Sequence, residues 1–139
     1  MSSVKVQGLD RFLSRLGGMP EAVRTEVSEA LEANGERLVS LSKSLAPRGE
    51  TGALVDSIRA EMDSDGLGLS VKAGGAATTK EVREGSGVSY DYAMGQEHGN
   101  EHTPKHPYLY PAARALRRVM RARLTRAVRR GIKKSGGGS

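Results

Sequence analysis

Ala46-Pro47-Arg48-Gly49-Glu50-Thr51-Gly52-Ala53-Leu54-Val55-Asp56-Ser57-Ile58 is the stretch that decides the fold. Pro47 biases Ala46 away from helical geometry, so a helix arriving from the N-terminal side must stop here. Arg48-Gly49-Glu50 reads as a loop. Thr51 is a candidate N-cap for a single helical turn that carries Leu54 and Ile58 at i,i+4. From Ile58 the period changes to two, which starts a strand.

Upstream of Pro47 the pattern is helical. Val23, Val27, Leu31, Asn34, Leu38, Leu41 and Leu45 recur every three or four residues, one face of a long amphipathic helix in which Asn34 is the polar exception. Pro20 opens that helix, where a missing backbone donor costs nothing. Glu21, Glu26, Glu29, Glu32 and Glu36 lie off the stripe and crowd the N-terminal half, as the helix dipole favours. Gly35 weakens the middle by about 1 kcal/mol relative to Ala and permits a close crossing. Before this helix, Val4 and Val6 alternate as a short strand, and Leu9, Leu13 and Leu16 step as a short helix that Gly17-Gly18 ends.

Downstream, Ile58, Ala60 and Met62 alternate with Arg59, Glu61 and Asp63; Leu67, Leu69 and Val71 then alternate with Gly68, Ser70 and Lys72. Ser64-Asp65-Gly66 between them predicts a hairpin. Residues 74–87 are rich in Gly, Thr, Ala and charge and read as a mobile loop or an extended arm. Val88, Tyr90 and Tyr92 alternate as a third strand. Gly and Pro between 95 and 107 exclude a long helix there. Pro111 starts the last helix, with Ala112, Leu116, Val119 and Met120 facing inwards. Arg123, Arg126 and Arg130 then interrupt the apolar stripe, so the second half of this helix shows no clean buried face. Tyr108, Leu109 and Tyr110 between two prolines read as an anchor that pins the last helix on the sheet, or as a subunit contact. The expected fold is α+β: a long N-terminal amphipathic helix on a small, mainly antiparallel sheet of three to four strands, then a basic C-terminal helix.

A chain of 139 residues favours one small domain, taken as residues 1–134 with 111–134 as its basic helix and 135–139 as a flexible tail. There is one Phe, four Tyr and no Trp, a thin aromatic supply that favours support from neighbouring subunits. Without Cys there is neither a disulfide framework nor a thiolate metal site. No run of about 18 apolar residues exists to span a membrane, and Met1-Ser2-Ser3-Val4-Lys5 opens no secretory apolar segment. The charge is unevenly placed. Ten basic and no acidic residues lie in 111–134, which leaves twelve basic against sixteen acidic elsewhere, a net of −4 within a total of +6. An acidic body with a basic tail can pair across subunits or meet a polyanion.

The order of these pieces resembles the phage tail-component family typified by HK97 gene product ten. The family pattern opens on a valine strand and Gly-Leu, here Val4, Val6, Gly8 and Leu9, and its long helix leads to Ala46-Pro47. Thr-Gly-x-Leu-x-x-Ser-Ile is met by Thr51, Gly52, Leu54, Ser57 and Ile58. Tyr-Ala and then Glu-[Phe/His]-Gly are met by Tyr92, Ala93, Glu97, His98 and Gly99. Pro-[Phe/Tyr]-Leu-x-Pro-Ala is met by Pro107, Tyr108, Leu109, Pro111 and Ala112. The 74–87 segment and the heavily basic end depart from the pattern.

The resemblance implies a structural virion protein of the neck or tail-completion region, without enzymatic activity or cofactor. It would form a ring, a hexamer favoured over a dodecamer, that joins the head to the tail and lines the DNA channel. Its partners would be copies of itself, connector or head-closure proteins, tail-tube or tail-terminator proteins, and DNA in the lumen. Its place is the virion, and the host cytoplasm during assembly. Pro47, Thr51, Gly52, Leu54, Ser57 and Ile58 then carry the fold. Glu97, His98, Tyr108, Tyr110, Arg114, Arg117, Arg118 and Arg121 are candidate interface residues, and Arg123, Arg126, Arg129 and Arg130 candidate DNA contacts. The alternative is a small basic protein that binds nucleic acid without sequence specificity through its tail, with the acidic body as a dimerisation module.

Other chemistry fits less well. His98, His102 and His106, beside Glu97 and Glu101, have the spacing of a helical metal site, but Gly99, Pro104 and Pro107 argue against a helix there. Thr51-Gly52 lacks the Lys and the glycine density of a phosphate cradle. No Gly-x-Ser-x-Gly surrounds Ser57 as a nucleophile.

Overall fold

A computed structural model of the chain describes residues 2–5, 20–48, 51–81, 89–99 and 107–136. Their elements, in chain order, are β1 (Ser2–Lys5), α1 (Glu21–Leu45), α2 (Ala53–Ser57), β2 (Arg59–Met62), β3 (Leu69–Ala73), a 3-10 turn (Ala76–Thr78), β4 (Thr79–Glu81), β5 (Ser89–Asp91), α3 (Tyr92–His98) and α4 (Leu109–Ser135). The architecture is α+β, mostly helical. The short helix expected at Leu9–Leu16 and the Gly17-Gly18 that would end it lie outside the described residues.

α1 runs from its N-cap Pro20 to Leu45, and Ala46 is extended (ψ 142°), as the following proline requires. Its buried stripe is Val23, Val27, Leu31, Asn34, Leu38 and Ser42, with Leu45 turned outwards. Each Val or Leu buried in this way contributes about 1.5–3 kcal/mol relative to an exposed one. On one side α1 lies on the sheet. A Cβ at Gly35 would come within 3.0 Å of a Leu69 methyl and 3.3 Å of the Ala60 Cβ, so glycine sets the close crossing expected for it.

On its other side α1 packs along α4, the most extensive contact in the fold and one that periodicity alone did not pair. The two helices are antiparallel: Gly131 meets Val23, and Asn34 meets Met120 and Arg123. At Gly131 a Cβ would lie 2.4 Å from the Val23 Cα, so the backbones touch there. The buried face of α4 is Leu109, Ala112, Leu116, Met120, Leu124, Ala127, Val128 and Gly131. That face runs the length of the helix and corrects the expectation that its second half has none. Val119, expected inside, is 39 % exposed. The arginines do not break the stripe. They flank it, while Leu124, Ala127, Val128 and Gly131 continue it at spacings of three and four.

β2 and β3 form the expected antiparallel hairpin, with Met62 opposite Leu69, and β1 pairs antiparallel on the other edge of β3. The strand order is β1-β3-β2. The strand expected at 88–92 does not join this sheet. It ends at Asp91 as β5 and pairs antiparallel with β4 in a separate two-stranded ribbon. The main sheet therefore has fewer strands than the upper expectation, and residues 76–81 are part of the fold rather than a loop. Asp91 explains both. Its carboxylate accepts hydrogen bonds from the Gly75 N–H (3.1 Å) and the buried Thr78 hydroxyl (2.7 Å), holding the 3-10 turn. It also accepts from the Ala93 N–H (2.9 Å), the N-cap bond that turns the strand into α3. Among the described residues no helix is long and apolar enough to cross a membrane.

Candidate assembly surface

The Thr-Gly-x-Leu-x-x-Ser-Ile stretch is a hydrogen-bonded joint between α1 and the sheet. Gly52, with φ +68°, occupies the N-cap position of α2, which corrects the expectation that Thr51 would. A left-handed residue is needed there, and glycine adopts it without penalty. The Thr51 hydroxyl still accepts a bond from the Ala53 N–H at 3.2 Å. Leu54 and Ile58 are buried one turn apart. The Ser57 hydroxyl donates to the Leu54 carbonyl (2.6 Å) and accepts from the Gly74 N–H (2.9 Å). The Arg59 guanidinium adds bonds to the Ser57 and Gly74 carbonyls, at 2.9 and 3.0 Å. Ser57 thus ties β3 to α2, a structural duty for its hydroxyl.

The later motifs close a second knot. Glu97, near the end of α3, is 3 % exposed. Its carboxylate accepts hydrogen bonds from the backbone N–H groups of Tyr108 (2.7 Å), Leu109 (2.9 Å) and Tyr110 (2.9 Å). These belong to the N-cap and first two residues of α4, and the next residue, Pro111, has no N–H. One carboxylate therefore satisfies every free donor at the start of a 27-residue helix and places its charge on the positive end of the dipole. Tyr108 is fully buried, and its hydroxyl donates to the Ala93 carbonyl at 2.8 Å. Burial, reinforced by the nearby Glu97 and Asp91 charges, pushes its phenol pKa well above the usual value. Glu97 and Tyr108, expected at an interface, are thus spent inside the subunit. Tyr108 and Leu109 anchor the start of α4, but to α3 through Ala93 and Glu97 rather than to the sheet as expected. Tyr110 points outwards at 42 % exposure, with the His98 ring 5.9 Å from its own.

Two arginines of α4 are likewise engaged within the subunit. The buried Asn34 amide donates to the Met120 carbonyl (3.2 Å), and its oxygen accepts from the Arg123 guanidinium (3.1 Å). Glu26, 7 % exposed on α1, accepts from Arg130 (3.0 Å) and from Lys134. Hydrogen bonding to Lys134, then to Arg130, holds its carboxyl below the usual range. Both residues sit on the seam between the helices, which explains a polar Asn34 in an apolar stripe.

What remains is the outer face of α4. Arg114, Arg117, Arg118, Arg121, Arg126, Arg129 and Lys133 are exposed, and none has an ion-pair or hydrogen-bond partner among the described residues. Arg114, Arg118, Arg121 and Arg129 follow one row of the helix. Exposed Tyr110 and Ile132 end that row. Like charges at this spacing repel one another by about 0.2–0.5 kcal/mol per pair, which an anionic partner would relieve. Of the histidines with metal-like spacing, His98 is on the surface, and His102 and His106 lie outside the described residues. Among the described residues no three His or acidic side chains form a metal-holding group.

A family model described as "Bacteriophage HK97-gp10, putative tail-component" matches residues 10–99, well over half of the chain. The chain belongs to this HK97-gp10-like family. Comparison with curated proteins and with solved structures finds no significant match. The assignment places the protein among phage tail components, structural parts of the virion that work in contact with other virion proteins. The matched segment covers α1, the Thr-Gly joint, the sheet hairpin and α3 with Glu97. It ends before Pro107, so α4 and its outer arginines lie beyond it.

Proposed function

We propose that this HK97-gp10-like protein is a neck or tail-completion subunit whose copies close into a ring between the head connector and the tail. A hexamer, matching the tail, is favoured over a dodecamer matching the portal. The role is mechanical and needs no cofactor: it keeps the channel aligned while DNA passes through the lumen. Its neighbours are connector or head-closure proteins on one side and tail-tube or tail-terminator proteins on the other. It is recruited in the host cytoplasm as the particle assembles.

One observation carries this reading. The motif residues Gly52, Ser57, Glu97 and Tyr108 are used up in building the subunit, whereas α4 presents a row of cations that no acidic side chain meets among the described residues. A subunit built this way is completed by neighbours. Removing the protein from an assembling phage should leave DNA-filled heads and free tails unjoined in electron micrographs. Joined particles in normal number would refute a joining role.

The exposed arginines of α4 favour a second reading, a non-specific nucleic-acid binder, through Arg126 and Arg129. Arg123 and Arg130, also candidates for that contact, are turned to Asn34 and Glu26 instead. Strong retention of duplex DNA that weakens steeply with salt would favour this alternative.

A further inference from the structure

α1 carries the counterpart of the arginine row. Glu21, Glu29, Glu32 and Glu36 are exposed, and no ion pair or hydrogen bond engages them among the described residues. Their spacing of eight, three and four places them on one face of the helix. The face of α1 turned to α4 is a different one, marked by Val23, Glu26 and Asn34. α4 meets α1 through Met120, Arg123, Arg130 and Gly131, and its row Arg114, Arg118, Arg121 and Arg129 lies on the far side. The helix pair therefore has an acidic outer face on one side and a basic outer face on the other. The two rows also match in length. Glu21 to Glu36 and Arg114 to Arg129 each span fifteen residues, about 22 Å of helix.

From this we infer that the basic row of α4 docks on the acidic row of α1 in the next copy of this chain. The interface is head-to-tail; it rests on the ring reading above and identifies the surfaces that close the ring. A two-fold dimer would put α4 against α4 and like charge against like. A head-to-tail contact places opposite charges together at every junction and leaves no row unmatched once the ring closes. Exposed Tyr110 and Ile132 add apolar area to the α4 side, which suits a protein partner. A second copy matches both rows at once, whereas a duplex on the α4 face would leave the acidic row of α1 unmatched, so the charge pattern favours a second copy over DNA as the occupant.

The experiment uses the full chain, two exposed-face variants and sedimentation velocity. E29K/E32K/E36K makes both faces basic, and R114E/R118E/R121E makes the α4 row mainly acidic. Circular dichroism melts check that both variants fold, as exposed positions allow. The wild type should assemble in low salt and dissociate near 1 M salt, where screening shrinks to about 3 Å. Each variant alone should associate at least about a hundredfold more weakly. Mixed in equal amounts, they should assemble again, because every junction is then opposite in charge. Two folded variants that assemble like the wild type would overturn the inference and leave the ring reading standing. So would a mixture that stays monomeric, or an arginine variant that loses retention of duplex DNA while keeping assembly. A wild type that stays monomeric in low salt at high concentration would overturn the ring reading and the docking inference together.

Discussion

Replacing Glu97 tests whether the later motifs build the subunit or its interface. In Glu97→Ala the N–H groups of Tyr108, Leu109 and Tyr110 lose their common acceptor. Tyr108 and Leu109 are fully buried, so their donors lose a buried partner. A buried donor left without a partner costs about 1–3 kcal/mol, and bonds to a charged group lie at the upper end, so the sum is about 3–5 kcal/mol. That is a large share of the roughly 5–15 kcal/mol that holds a domain together. For a chain of this length it corresponds to a fall in Tm of roughly 10–20 °C. Glu97→Gln keeps an acceptor oxygen and the side-chain volume but loses the charge at the helix N-terminus, and should cost about 1–2 kcal/mol. Thermal melts followed by circular dichroism at neutral pH read both values. A Glu97→Ala variant that melts within about 3 °C of the wild type yet fails to assemble would refute the reasoning and return Glu97 to the interface.

Tyr108→Phe should cost about 1 kcal/mol by chemical denaturation, since it removes the buried bond from the Tyr108 hydroxyl to the Ala93 carbonyl; no change would mean that this bond adds nothing to the fold. Gly131→Ala pushes a methyl against the Val23 backbone and should destabilise by about 1–3 kcal/mol, read as a shift in urea midpoint at constant slope. Gly52→Ala meets no atom within 4 Å, so its cost should be only the left-handed backbone strain, about 1–2 kcal/mol. Glu26 gives a pH signature. Its carboxyl titrates lower in the fold than in the unfolded chain, so the unfolded state binds more protons in that interval. Its contribution is complete above the ordinary glutamate value of about 4.3 and is lost as pH falls through the lower folded value. Glu26→Gln should flatten that acid limb of a stability profile, and an unchanged limb would contradict the seam pairing.

Backbone breaks were the most legible feature of the sequence. Pro47 had to end α1, and Asp65-Gly66 had to turn the hairpin, because both act through local sterics. Residues whose partners are distant in sequence were not legible. Asn34 looked like a flaw in an apolar stripe because its partners, Met120 and Arg123, lie more than eighty residues away. Arg123 and Arg130 read as intrusions for the same reason. Glu97 read as a surface acid because a lone carboxylate rarely goes inside. Its signal was the start of a helix twelve residues later, with Pro111 in the first turn and no Ser, Thr, Asn or Asp near at hand to cap it. Asp91 was missed as a cap because the alternation through Tyr90 and Tyr92 suggested a longer strand.

Native mass spectrometry of the full chain in low salt tests the central claim most directly. The account predicts one closed assembly of fixed copy number, six being favoured, that gives way to monomer as salt is raised. A folded monomer at every salt concentration, or a two-fold dimer indifferent to salt, would contradict it.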